Sequence, residues 1–163
     1  MKTGPPGPSR KQMRRQDLEI TEIDQIEGIV SRALRCCIGM VDGAEPYVVP
    51  VCFGYERNAL YFHSALEGRK VDILRRSNRV CFEMDTDLEV VGAAMGCEWS
   101  MKYRSVMGTG TARILETDEE EAHGLELIMR HYAGDDFHLP ERLPANVLVI
   151  RVDIDSISGT STY

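Results

Sequence analysis

The sequence predicts an α+β protein: a mainly antiparallel sheet of about six strands, closing towards a barrel and flanked by helices. Three observations predict it. Short apolar runs are separated by hairpin turn signals. The run Tyr47 to Phe53 is apolar on both faces, as a strand covered on both sides would be. Helices and strands follow one another in the order helix, three strands, helix, strand, long strand, helix, strand, which suits antiparallel pairing. A chain of 163 residues has room for one such domain, able to bury about 70% of its unfolded surface.

Residues Met1 to Arg15 form a basic leader. Lys2, Arg10, Lys11, Arg14 and Arg15 lie among Gly4, Pro5, Pro6, Gly7 and Pro8, with no acid and no apolar stretch of the signal-peptide kind. This leader is expected to be flexible, and residues 16–163 to form the domain. The first helix should run from Glu22 to about Leu34, with Thr21 as N-cap and Ile23, Ile26, Val30 and Ala33 on one stripe. Leu34 to Val41 and Pro46 to Tyr55 read as strands around an Asp42-Gly43 turn. Pro50 cannot donate to a ladder, so its strand should lie at an edge, be bulged, or face a ligand. After the turn Glu56-Arg57-Asn58, Ala59 to His63 makes a third strand.

Gly68 to about Ser77 is helical, with Val71 and Leu74 on its apolar side, and Arg79 to Asp85 alternates with Val80, Phe82 and Met84 on one face. Thr86 to Ser100 reads as a long connection, and long ordered loops are often functional. Lys102 to Leu115 is a long strand whose face Val106, Gly108, Gly110, Ala112, Ile114 would admit another backbone or a flat ligand. Thr117 to Ala133 is the clearest helix: Thr117 and Glu120 form a capping box, Ala122, Leu125, Ile128, Met129 and Tyr132 make the stripe, and Gly134 ends it. Val147 to Ile154 is the last strand, with Leu148, Ile150, Val152 and Ile154 towards the core.

Composition excludes several classes. The formal charge is -7, from 19 basic and 26 acidic residues, and beyond the leader the chain is more acidic still. Such a body repels nucleic-acid phosphates. The longest nearly apolar run, Val90 to Cys97, is far short of the ~20 residues that span a bilayer. Cys36, Cys37, Cys52, Cys81 and Cys97 include no Cys-x-x-Cys pair, so they are expected to be thiols in a reducing cytosol, with no metal bound. Gly108-Thr109-Gly110 sits in a strand with no helix after it, which removes a dinucleotide fingerprint. Trp99 either covers a ligand or plugs the core, with core favoured, and His131 is expected at the surface.

The most informative stretch is Phe62-His63-Ser64-Ala65-Leu66-Glu67-Gly68-Arg69-Lys70, running from a strand end into a helix start. A helix N-terminus offers unpaired N–H groups, and here a hydroxyl and two cations join them, as an anion cradle requires. Arg75, Arg76 and Arg79 enlarge the positive field, against the single acid Asp72. The bland alternative is a solvated face with surface ion pairs, each worth ~0–1 kcal/mol. An anion alone is not enough for tight binding: a charge-assisted hydrogen bond contributes on the order of 1.5–3 kcal/mol, whereas micromolar affinity needs about 8 kcal/mol. A flat apolar group must be held as well, with Val48 to Val51 and Val106 to Gly110 as candidate walls. A phosphate handle with a planar ring describes a nucleotide-like cofactor.

Leu60-Tyr61-Phe62-His63-Ser64-Ala65 followed by Gly68-Arg69-Lys70, then Arg79-Val80-Cys81-Phe82, and the stretch from Trp99 through Ala112 resemble a known family. It is the FMN-binding split barrels related to pyridoxamine 5'-phosphate oxidase, and within them the nitroimidazole-reductase-like branch, over roughly Arg14 to Ser158. The resemblance implies a split β-barrel and a homodimer holding two FMN molecules at its interface. Ser64, Arg69 and Lys70 would take the FMN phosphate, and the main chain of Val48, Val49, Pro50 and Val51 would run along the isoalloxazine ring. Tyr103, Arg104, Ser105 and Val106 would approach from the partner's long strand. His63 matches a histidine placed near the flavin and would be the proton donor, since imidazole titrates readily; the alternative is a strand histidine packed beside Tyr61.

The implied activity is that of a cytoplasmic FMN-dependent oxidoreductase, of flavin reductase or nitroreductase type. It would pass electrons from NADH or NADPH to a small organic acceptor. Two alternatives remain open: a non-catalytic FMN-binding protein for storage or sensing, and an amine oxidase of the pyridoxamine-phosphate-oxidase kind. The second is weakened because Ser158 to Tyr163 lacks the Arg/His motif that grips that substrate's phosphate.

Overall fold

In the computed structural model, which describes residues 15–140 and 144–163, the described residues form eight antiparallel strands and three α-helices. Residues 1–14 of the basic leader lie outside the described residues. The elements are β1 (Glu19–Ile20), α1 (Ile23–Arg32), β2 (Cys36–Asp42), β3 (Glu45–Val51), β4 (Phe53–Glu56) and β5 (Ala59–Ala65). They continue with α2 (Arg69–Arg76), β6 (Arg79–Val91), β7 (Ser100–Ile114), α3 (Asp118–Ala133) and β8 (Val147–Ser161). Across the sheet the order is β3, β2, β6, β7, β8, β5, β4, with β1 added beside β8. Among the described residues no helix is long and apolar enough to cross a membrane.

The order contains its own constraint. β3 and β4 lie at opposite ends of the sheet, yet only Cys52 separates them in the chain. Consecutive Cα atoms are about 3.8 Å apart, so the sheet has to curl until its two ends meet, giving a barrel that is not hydrogen-bonded shut. Its interior is filled by Ile38, Phe53, Phe62, Phe82, Met84, Val106 and Ile150, all at most 2% exposed. α1 covers one end with Ile26, Ile29 and Val30.

Outside the barrel, α3 packs over β4, β5 and β8, where Leu127 and Ile128 join Ala59, Tyr61, Leu115 and Val149 in a second core. Its first turn forms as expected: Thr117 Oγ1 accepts from the Glu120 N–H at 3.3 Å, and four acids sit at the positive end of the helix dipole. The last turn sews two chain segments together. The Tyr132 hydroxyl accepts from Phe53 N–H at 3.1 Å and donates to Leu34 C=O at 3.1 Å, while a His131 ring nitrogen meets Ala33 C=O at 2.8 Å. His131 is half-buried against the Phe53 ring, not at the surface.

Several expectations need correction. About six strands become eight, because the apolar run from Pro46 to Tyr55 is two strands belonging to opposite ends of the sheet, and because β1 adds a short pair. The long connection from Thr86 shrinks to residues 92–99: β6 and β7 pair as far as Val91↔Ser100, past a bulge at Thr86/Glu89 where Asp87 has φ +56°. That bulge breaks the alternation by which a strand is recognised. β8 runs on to Ser161, and Thr21 does not cap α1, whose N-cap Glu22 makes no side-chain cap bond. Trp99 is 58% exposed, its indole N–H bonded to Ala93 C=O at 2.8 Å, so it is no core plug. The face of Gly108 is filled from within: a Cβ there would stand 2.2 Å from the Phe82 ring, so neighbouring core, not a flat ligand, uses the space.

Gly54 tests how closely α3 must approach. A Cβ at Gly54 would lie 2.5 Å from the Leu127 carbonyl carbon and 2.7 Å from the Ile128 nitrogen, both helix backbone. Overpacking of this kind costs about 1–3 kcal/mol or more, and in a domain of this size each kcal/mol lowers Tm by roughly 2–4 °C. Gly54→Ala should therefore melt several degrees below the parent in calorimetry. Gly96→Ala, where nothing lies within 4 Å of the added carbon, should melt with it.

Candidate functional site

The split in the barrel follows from register. β4 pairs with β5 only as far as Phe53↔Phe62, whereas β8 stays paired with β5 to Val147↔Ala65. His63, Ser64 and Ala65 thus run on past the start of β4 into the space beside the end of β3, with one backbone edge unpaired. β3 pairs with β2 alone, so its outer edge is unpaired too. Ser64 is buried, at 7% exposure, and is the one polar side chain in that class among the described residues. His63, on the opposite face, is exposed.

From Ala65 the chain turns through Gly68, whose φ of +129° suits glycine and above which no atom lies within 4 Å of a built Cβ. α2 begins there with no side chain capping it, so its first N–H groups are left to solvent or a ligand. Val71, Ile73 and Leu74 anchor the helix in the core and aim its start at the mouth of the split. Two contacts fix that aim: the Arg69 guanidinium stacks 4.7 Å from the centroid of Tyr47 on β3, and Lys70 Nζ lies 5.5 Å from the centroid of Phe62 on β5.

The two cations differ. Arg69 Nε donates to Asp42 Oδ2 at 2.9 Å, and Arg76 Nη2 donates to Asp42 Oδ1 at 2.7 Å. The Arg69 hydrogen bond is the first cause holding the Asp42 carboxyl below its ordinary range. Lys70 is half-buried and makes no ion pair among the described residues. Burial pushes its ammonium below the usual lysine value, the direction a bound anion would reverse. An uncapped helix start, an open glycine and a cation with no counter-ion together fit a phosphate group.

Of the residues singled out by sequence, the structure brings together two groups. Val49 and Val51 of β3 turn inward against the core and Val48 and Pro50 turn outward, with His63, Ser64, Arg69 and Lys70 across the split. The third group stands elsewhere in the same chain. Arg104 is bound to Asp87 at 2.6 Å and stacked on Tyr163 at 4.4 Å, Tyr103 N–H is taken by Thr162 Oγ1 at 2.8 Å, and the Val106 side chain is fully buried. β8 gives the spacing in strand path: Leu148 is opposite Ser64 and Gly159 opposite Val106, roughly 35 Å of path on a strand that curls with the sheet.

Sequence reasoning missed Asp42 and Tyr47, which hold Arg69, and Tyr132, which fixes the Cys52 junction. Asp42 was legible only as a turn residue. A carboxylate ending a strand opposite a basic helix was the one signal that it had another partner. All five cysteines are free thiols, with Cys36 buried and its pKa pushed up by that burial.

Comparison with known proteins agrees with this fold. Residues 22–161 match the family described as Pyridoxamine 5'-phosphate oxidase, while no curated protein sequence matches the chain. Among solved structures, a protein of Bacteroides thetaiotaomicron VPI-5482, provisionally described as a 5-nitroimidazole antibiotic resistance protein, is 38% identical with a TM-score of 0.76. The alignment covers 87% of this chain and 85% of that one. A flavocytochrome of Azotobacter vinelandii, at 18% identity, has a TM-score of 0.80 over 93% of this chain and 72% of that one. An FAD and heme binding protein of Mycobacterium smegmatis, also at 18% identity, has a TM-score of 0.77 over 88% and 72%. The last two share the fold. With the match to the family running through nearly every element of the split barrel, the chain belongs to the pyridoxamine 5'-phosphate oxidase family.

Proposed function

We propose that the protein is an FMN-dependent oxidoreductase that works in the cytoplasm as a homodimer with FMN at the subunit interface. Electrons would pass from NADH or NADPH to a small organic acceptor. The observation that carries this reading is Lys70, a half-buried cation with no counter-ion among the described residues, in the uncapped first turn of the helix that follows the strand of Ser64. A nitroaromatic is the acceptor favoured by the likeness to the Bacteroides protein.

A flavin supplies hydride and electron transfer when bound, and the protein's part is to hold it, orient it and keep water out. Ser64, Lys70 and the first N–H groups of α2 would bind the phosphate. Tyr47 and the main chain from Val48 to Val51 would line the ring along the unpaired edge of β3. His63, exposed at the end of β5, would deliver a proton from its imidazole N–H to the acceptor.

The partner subunit enters because Tyr103, Arg104, Ser105 and Val106 pair with the end of β8 away from the stretch that pairs with Ser64, and Tyr103 and Arg104 are held there by Thr162, Asp87 and Tyr163. The outer face of the sheet supports a partner as well. Val41, Val48 and Met107 are each more than half exposed, around a row in which Val48 is opposite Gly39 and Gly39 opposite Cys81. Exposed apolar ground of this kind marks an interaction surface.

Protein purified with FMN should carry an oxidised-flavin absorption spectrum and oxidise NADH or NADPH in the steady state when an acceptor is supplied. A yellow protein with no turnover would leave a flavin carrier. His63→Ala should keep the flavin and slow acceptor reduction by about 10²-fold or more, the usual share of a general acid; unchanged turnover removes His63 from the chemistry. Light scattering should give twice the chain mass, and Val48→Glu should shift the particle towards a single chain and lose flavin with it.

A further inference from the structure

We propose that Asp42 is a positioning residue of the flavin site: it holds Arg69 and Arg76 away from the phosphate and ties the β2–β3 hairpin to α2, leaving Lys70 to neutralise the phosphate. This rests on the proposed flavin site and divides the labour among its cations.

The division follows from what each cation already touches. Arg69 is held at two points, its Nε by Asp42 Oδ2 at 2.9 Å and its guanidinium plane by the Tyr47 ring at 4.7 Å. Arg76 is also held at two points, by Asp42 Oδ1 at 2.7 Å and by the Asp72 C=O, which accepts from its Nε at 3.1 Å. One carboxylate thus gathers both guanidinium groups at the hairpin. A phosphate recruiting Arg69 would have to compete with a charge already in contact and undo the stacking on Tyr47. Lys70 faces no such competitor among the described residues.

The brace also has a mechanical consequence. β3 is the end strand of the sheet and pairs on one side only. Away from the Cys52 junction its distance from β5 across the split is not set by main-chain hydrogen bonds, so there it depends on side chains that span the gap. Asp42 ends β2 just before the turn into β3, and Tyr47 lies within β3. Arg69 grips both from α2, which follows β5. The brace therefore sets the width of the slot where the ring would lie, and it acts on ring and phosphate alike.

Binding of FMN and of riboflavin, which lacks the phosphate, separates the two roles. Both affinities are measured on the full-length protein by quenching of flavin fluorescence, with melting temperatures recorded to confirm folding. The parent should prefer FMN by at least about 10-fold, the lower bound for one charge-assisted hydrogen bond. Lys70→Ala should erase that preference and leave riboflavin affinity unchanged. Asp42→Ala should weaken riboflavin several-fold and raise the preference for FMN, since Arg69 and Arg76 are then released towards the phosphate, and Asp42→Asn, which retains an acceptor but not the charge, should fall between. Arg69→Ala should weaken both flavins by the same factor and keep the parent's preference. Loss of the FMN preference in Arg69→Ala makes that arginine a phosphate ligand and overturns the division, as does riboflavin affinity unchanged in Asp42→Ala. A parent that binds neither flavin fails the proposed function itself, a result distinct from either.

Discussion

One covalent fact governs the rest of the molecule: the two ends of a seven-strand path are joined by a single residue, Cys52. An open sheet of that width would hold its edge strands far apart, since neighbouring strands are about 4.8 Å from one another. The junction forces curvature, and curvature makes the interior that Phe53, Phe62, Phe82 and Met84 fill. It also leaves a defect. β5 overshoots β4 by three residues beside an edge strand with no second partner, so the place where the barrel fails to close is fixed by pairing register before any ligand is considered.

An unpaired edge is a liability, because it invites another strand. β3 counters this with Pro46 and Pro50. The ladder with β2 runs unbroken from Asp42↔Glu45 to Cys36↔Val51, and a proline is tolerated there when its missing N–H faces away from the partner. Four residues apart, both prolines face the same way, so the outer edge keeps its carbonyls and loses donors on either side of Val48. Such an edge is poor at accepting a strand and still able to receive hydrogen bonds from a small polar ring. The Asp42, Arg69 and Tyr47 contacts then do for the gap what main-chain pairing does elsewhere in the barrel.

How much of this was legible in the sequence depended on the range of the signal. The α3 capping box, the Asp42-Gly43 turn and the strand-to-helix turn at Ser64 to Lys70 are encoded within a few residues, and each appears where the text put it. The β3/β4 break does not show, because Cys52 lies in apolar text with no turn residue to mark it; only the pairing partners of its two sides differ. The extension of β6 and β7 was hidden by a bulge at Asp87, which shifts the face of every residue beyond it. Asp42 and Tyr132 were opaque for another reason: their partners lie 27 to 98 residues away, and polar pairing over such distances leaves no periodic trace.

Under the proposed function one chain does not make a whole site. The proposed slot between β3 and β5 would have walls, a cation and a helix start, and β3 also carries the exposed Val48 on its outward face. A partner covering that face would lie beside the slot. The residues the resemblance assigns to the far side of the ring, Tyr103 to Val106, belong to a strand whose own chain holds them at the opposite end of β8, pinned by Asp87, Thr162 and Tyr163. In the proposed homodimer, that rigid mooring at the far end of one barrel would become a fixed wall at the split of the other. A two-fold pair would satisfy both needs at once, since each copy would offer its braced slot to the other's anchored strand and both apolar faces would leave the water together.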